Sequence, residues 1–301
     1  MLSRIAESFF WLGRYIERAE ATARILAEHY QLLVEDQTVS EEFACSVLLE
    51  ALSMGQAGVD SGQALVHAVV GAPGQPSTIK GAVSAARDNA RAVRDSLSQD
   101  TYEALNSAHL SLSRGLAFAS SPGVALYRVL ERLLVVNGVI DWTMPRDEAY
   151  QFMLLGREIE RIDMMGRLLA VRHDRIWPTA GPVAALRAAG ALSAFQRRQV
   201  GLAGPEARAF LVLDETFPRS MRACASDAEH CVRALERMGV SDDGALLREV
   251  GMLRSALEYA SNPGPQDVDR LIVQARDAAV RSSEHVNTAF FRQHGTIVWS
   301  Q

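Results

Sequence analysis

Hydrophobic positions recur every three to four residues along almost the whole chain, the period of helices with one buried face. Alternating Val/Ile/Thr-rich runs bounded by turn residues are missing. The pattern predicts an all-α fold, a bundle of about ten helices with an internal pseudo-two-fold repeat. Ser3 starts the first helix, with Glu7 near its first turn, and the periodicity runs to about Glu35. Further helices are predicted near Glu41–Met54, Ile79–Ser96, from Gln99 onward, Val124–Asp141 and Asp147–His173. After these come Val183–Arg198, Pro205–Leu211, Met221–Met238, Asp242–Tyr259 and Pro265–Phe291. Asp100 and Glu103 stand at the spacing of a capping box. Breaks fall at Gly71–Pro76, Ser121–Gly123 and Trp177–Pro182. The last is the expected division between 1–176, which holds both copies of a charged motif, and 183–301, the two halves packing as one unit. The tail His294–Gln301 reads as irregular.

The charged motif is the repeat. Leu12-Gly-Arg-Tyr-Ile-Glu-Arg-Ala-Glu-Ala-Thr-Ala-Arg-Ile-Leu26 matches Leu155-Gly-Arg-Glu-Ile-Glu-Arg-Ile-Asp-Met-Met-Gly-Arg-Leu-Leu169. At about 100° per residue, Leu12, Ile16, Ala19, Ala23 and Leu26 form a core stripe. Gly13, Glu17, Glu20 and Arg24 share the flank beside it, and Arg14 and Arg18 lie further round. The second copy repeats this, with Gly156, Glu160, Asp163 and Arg167 on the flank and Arg157 and Arg161 beyond. A mid-helix glycine costs about 1 kcal/mol relative to alanine, so its presence in both copies predicts that the two helices approach closely there. The acidic flanks are then expected to meet Arg24 and Arg167 in a shared network, leaving Arg14, Arg18, Arg157 and Arg161 to other partners. Three readings stay open. The motif is a structural ion network that fixes register. Its arginines hold an anion or phosphate-bearing ligand. The four carboxylates form a dinuclear metal site, against which stands the lack of histidines at Glu-x-x-His spacing.

Composition narrows the field. The 301 residues carry a net charge of −5, are 48% hydrophobic and 22% charged, and include a single lysine, Lys80. No bulk attraction to nucleic acid or an anionic membrane follows from that balance. No run of about 18 apolar residues suggests a membrane span. The N-terminus does not read as a signal peptide. Cys45, Cys224 and Cys231 fit no zinc module and read as reduced core residues of a cytoplasmic protein. The histidines are scattered, and neither a phosphate-binding Gly-x-x-x-x-Gly-Lys-(Ser/Thr) loop nor a dinucleotide fingerprint is present. No metal and no cofactor is expected. Outside the repeat, Arg87, Asn89 and Arg91 form a polar helix face that either is solvated or lines the same cleft. Arg146 stands between two predicted helices. Phe217-Pro-Arg-Ser220 opens a helix, with Pro218 near its first turn, placing Arg219 at its N-terminal end, a candidate anion site.

At these residues the chain resembles the bacterial alpha-E domain family. The resemblance covers nearly the whole chain. It rests on Tyr15–Glu20, Glu158–Asp163, Ala86-Arg-Asp-Asn-Ala-Arg91, Thr143-Met-Pro-Arg-Asp-Glu148 and Phe217–Ser220. It implies an all-helical companion of circularly permuted ATP-grasp ligases and transglutaminase-like proteins, in systems that make or modify peptides through ATP-dependent amide bonds. Such a chain would be a non-catalytic or co-catalytic partner. The family brings no catalytic residues to carry over. Two alternatives remain: a stand-alone enzyme or carrier whose Glu/Arg cleft holds an anionic amino-acyl, peptidyl or phosphate-bearing ligand, and a structural scaffold. A homo-oligomer is compatible with all three.

Overall fold

The computed structural model describes residues 3–55, 58–72, 74–113, 121–198, 201, 203–240, 244–261 and 263–291, so the expected tail at His294–Gln301 lies outside the described residues. Fourteen α-helices and no strand are found among them. They are α1 (Ser3–Glu35), α2 (Glu41–Ala51), α3 (Gly62–Val70), α4 (Ile79–Ala92), α5 (Gln99–Ser113), α6 (Pro122–Thr143) and α7 (Glu148–Ala170). The rest are α8 (His173–Ile176), α9 (Gly181–Ala188), α10 (Leu192–Gln196), α11 (Gly204–Leu213), α12 (Met221–Arg237), α13 (Ala245–Glu258) and α14 (Pro265–Val286). The count exceeds ten because one expected segment splits and short helices are added. Gly190, at φ +71°, ends α9 before α10. The short α3 and α8 have no counterpart among the expected helices. At α5 the cap is Ser98, which accepts from the Thr101 N–H at 3.2 Å, and not Asp100, which lies inside the helix. Pro218 likewise precedes α12, whose cap is Ser220 accepting from Ala223 N–H.

The repeat extends far beyond the motif. At the 143-residue spacing of Gly13 and Gly156, α4 falls on α12, α5 on α13, and Pro122–Thr143 on Pro265–Val286. The packing repeats too. Helices α4 and α6 lie on α1, with α5 between them; α12 and α14 lie on α7, with α13 between them. Each set is a four-helix bundle, and the chain passes from one to the other at 144–147. The expected division at Trp177–Pro182 falls inside the second set: Trp177 is buried and α9 packs back on α1.

The motif helices α1 and α7 run side by side in the same direction, from Gly13 beside Met153 to His29 beside His173. No described helix is long and apolar enough to cross a membrane. His29 and His173 are fully enclosed, with His29 Nδ1 3.2 Å from His173 Nε2 and His29 Nε2 3.0 Å from the Ala44 carbonyl oxygen. Burial lowers the pKa of His29 to about 4 and that of His173 well below its usual value. An imidazole held neutral in the fold stabilises it fully above the unfolded value near 6.5, and that contribution is lost as pH falls through the folded value. We therefore expect stability to drop between pH 6.5 and about 4, by about 3 kcal/mol for His29 alone. Urea midpoints measured across that range check this, and His29→Gln should flatten the slope. A midpoint insensitive to pH there would contradict it.

Candidate functional site

The two glycines set the geometry. A Cβ on Gly13 would fall closer than 3.0 Å to the Met153 carbonyl oxygen, and one on Gly156 equally close to that of Phe10. Phe10 and Met153 are themselves counterparts in the repeat, so the contact is reciprocal. Backbone approach of this kind brings the acidic flanks together and leaves Glu17, Glu20, Glu158 and Glu160 at most 1% exposed.

The pairing across the contact is also reciprocal. Arg18 donates to both oxygens of Glu160, at 2.5 and 3.0 Å. Its counterpart Arg161 donates to Glu17 Oε2 at 3.1 and 2.8 Å. Arg14 adds a third donor to Glu160 at 2.7 Å. Arg24 and Arg167 pair with carboxylates of their own helices, Glu20 and Asp163, and Arg167 also donates to Ser53 at the end of α2. The expectation that Arg14, Arg18 and Arg161 point elsewhere is thus corrected. A helical wheel places Cα atoms, whereas an arginine stem lies along its helix and delivers the guanidinium several ångströms away.

One difference between the copies changes the pairing. Tyr15 stands where the second copy has Glu158. Arg18 lies over the Tyr15 ring at 5.5 Å. Arg157, by contrast, is drawn to Glu158 at 3.1 Å and Asp141 at 3.4 Å, and so does not mirror Arg14. Arg219 supplies the missing cation, bonding Glu17 and Glu20 together. It reaches them from the residue before the Ser220 cap. The anion site expected at that helix start is therefore occupied by carboxylates of the same chain.

The electrostatics follow from this crowding. Burial pushes the Glu17 pKa up, but Arg161 and Arg219 more than offset it, holding the carboxyl at about 2. Burial likewise works against ionised Glu160, and Arg14 and Arg18 outweigh it to lower its pKa. Arg161 is raised well above its usual value, because Glu158 and Glu17 outweigh its burial. Both carboxylates are ionised at neutral pH and are poor proton carriers. Cys224 borders the cluster, but burial first and then Glu158 push its thiol well above the usual range, which disfavours the nucleophilic thiolate.

Some of the cluster has no counterpart in the sequence reading. Glu158 is buried under Arg157 and Arg161, Asn137 donates to Glu20 Oε2 at 2.7 Å, Ser283 accepts from Arg14 at 2.5 Å, and Arg276 stands 3.7 Å from Asp163. Glu158 was legible as the charged exception to the Tyr15 position. The other three come from α6 and α14 and carry no motif. Other candidates lie outside. Arg87 bonds Asn106, Asn89 turns back to the Ala85 carbonyl, and Arg91 is exposed, so none of these bonds to the cluster. Arg146 bonds the Asp141 carbonyl and stacks on Tyr150, next to Arg157. Among the described residues no group of three or more His, Cys, Asp or Glu side chains is placed to hold a metal ion.

Comparison with known proteins adds a family and few functional words. A family model described as a predicted alpha-helical domain with a conserved ER motif matches residues 1–291. An uncharacterized protein of Mycobacterium bovis is 30% identical over 256 residues, as is one of Mycobacterium tuberculosis strain CDC 1551. A counterpart from strain H37Rv is 29% identical. Each match takes in 72% of this chain but only 28% of the relative, so the chain aligns with under a third of the length of these proteins. No solved structure matches.

Proposed function

Because the chain belongs to the Alpha-E family, we propose that it is a non-catalytic companion of an ATP-grasp type amide ligase in peptide synthesis or modification, acting in the cytoplasm. The reading has its starting point in the family resemblance. In the curated relatives the domain is joined to far more chain, so it has neighbours to pack against. A transglutaminase-like protein is the second candidate neighbour.

The single observation that carries the companion role is the outer face of α6. Val124, Tyr127, Leu134, Val135 and Trp142 stand exposed on it, with Trp142 91% exposed. The bundle itself does not require this. At the equivalent positions α14 carries Asp267 for Val124, Arg270 for Tyr127, Asp277 for Leu134 and His285 for Trp142. At these four positions one copy of the helix is charged or polar and the other apolar, the composition of a docking face. The buried Glu/Arg pairs fit the same role, since paired buried charges fix the register of a platform more than they drive chemistry.

The test is co-purification with the ATP-grasp protein of the native host and ATP turnover of the mixture. Trp142→Glu and Tyr127→Glu should abolish both while shifting stability by less than about 0.5 kcal/mol, as exposed substitutions do. Undiminished complex formation in the double variant would remove α6 as the docking face. No ATP turnover from any mixture with that ligase would remove the reading itself.

A further inference from the structure

The two sides of the α1–α7 contact are not equally filled. On one side Arg219 enters from the residue before the Ser220 cap and bridges Glu17 and Glu20. On the other side the matching cap is Thr78, and the residue before it, the counterpart of Arg219, is Ser77, whose short side chain cannot reach in. A pocket of about 160 Å³ lies on that side, lined by Arg18, Arg167, Thr22, Ser53 and Ser77.

Charge is unbalanced there as well. Around the Arg219 side, Arg24, Arg157, Arg161 and Arg219 face the four carboxylates of Glu17, Glu20, Glu158 and Asp141. On the pocket side, Arg14, Arg18, Arg167 and Arg276 face only Glu160 and Asp163. Two positive charges are left over among these ion pairs. Neither Arg18 Nη1 nor Arg167 Nη2 has a hydrogen-bond partner among the described residues.

Ser53 is the second sign of a built site. The end of α2 closes with Met54 N–H on the Leu49 carbonyl and Ser53 N–H on that of Glu50, a Schellman arrangement. Its left-handed position, usually glycine, is held by Ser53 at φ +56°. Strain of this kind persists where a side chain is needed. The Ser53 oxygen accepts from Arg167 Nη1 at 2.9 Å, which leaves its proton to donate.

We propose that this pocket binds a phosphate group as its dianion. Two guanidinium groups from different helices, the Thr22 hydroxyl beside Arg18 on α1, and the hydroxyls of Ser53 and Ser77 from two further segments suit a tetrahedral oxyanion. The volume falls below the ~300 Å³ where drug-sized pockets begin, so the pocket takes a phosphate or a phosphoryl headgroup and not a nucleoside. The proposal is independent of the companion role.

Isothermal titration of the full chain with inorganic phosphate, and in parallel with O-phosphoserine, at about pH 7.5 tests it, since phosphate is largely dianionic there. Saturable one-to-one binding is expected for at least one probe. Ser53→Gly and Ser77→Ala should each weaken it about tenfold, the factor carried by one hydrogen bond to a charged group. Ser53→Gly should also raise the melting temperature by releasing the strained φ, so lost binding cannot be assigned to unfolding. Tighter binding of O-phosphoserine assigns the phosphate to the end of a larger ligand, and equal binding assigns it to free phosphate. Absence of saturable binding by both probes, or unchanged affinity in both variants, would overturn the proposal.

Discussion

Gly13→Ala and Gly156→Ala are each expected to destabilise the protein by at least about 3 kcal/mol, the upper range for forcing volume into a packed contact. The added methyl would sit closer than 3.0 Å to a carbonyl oxygen of the opposite motif helix, which cannot rotate aside as a side chain can. The helices would have to separate, and the ion pairs beyond the contact would lengthen with them. Gly138→Ala is the control. Gly138 lies inside α6 with nothing within 4 Å of where its Cβ would be, so alanine there should stabilise by up to about 1 kcal/mol. Urea denaturation of the three variants makes the comparison. A Gly13→Ala protein as stable as Gly138→Ala would end the argument for backbone contact.

The second large effect concerns the buried carboxylates. Glu160→Gln keeps the shape of the side chain but leaves Arg14 and Arg18 without their paired carboxylate, and Glu17→Gln takes one of two paired carboxylates from each of Arg161 and Arg219. Breaking a buried pair from one side costs about 3–5 kcal/mol, because the remaining charge is still desolvated. Each variant should lose stability in that range. Glu258→Gln, which removes a partly exposed partner of Arg254 on α13, should cost less than about 1 kcal/mol. The pH profile follows with its sign. The Glu17 pKa is depressed from 4.5 to about 2, so its contribution is present above 4.5 and is lost as pH falls through 2. Acid denaturation should therefore continue below the range in which the histidines titrate, and Glu17→Gln should remove part of that lower limb.

Much of this was legible in the chain. Helical periodicity, the paired motif and its two glycines were enough to predict an all-α protein whose motif helices meet. The extent of the repeat was not, because outside the motif the copies share helix positions more than residues: α6 and α14 keep a proline at their starts while their outer faces diverge from apolar to charged. Arg14, Arg18 and Arg161 were assigned to other partners because a wheel fixes where a side chain starts and not where a guanidinium ends. Asn137, Ser283 and Arg276 enter from helices distant in sequence, and only packing brings them to the cluster. The pocket was invisible for a related reason. It exists because Ser77 answers Arg219, and that correspondence is clear only once Thr78 and Ser220 are known to cap matching helices.

The central claim is that the Glu-Arg motif is a reciprocal clasp between α1 and α7. Two double-mutant cycles test it most directly: Arg18→Met with Glu160→Gln, and Arg161→Met with Glu17→Gln, read by urea denaturation. The clasp predicts coupling of about 2 kcal/mol or more in both cycles. Effects that add to within about 0.5 kcal/mol in either cycle would contradict it.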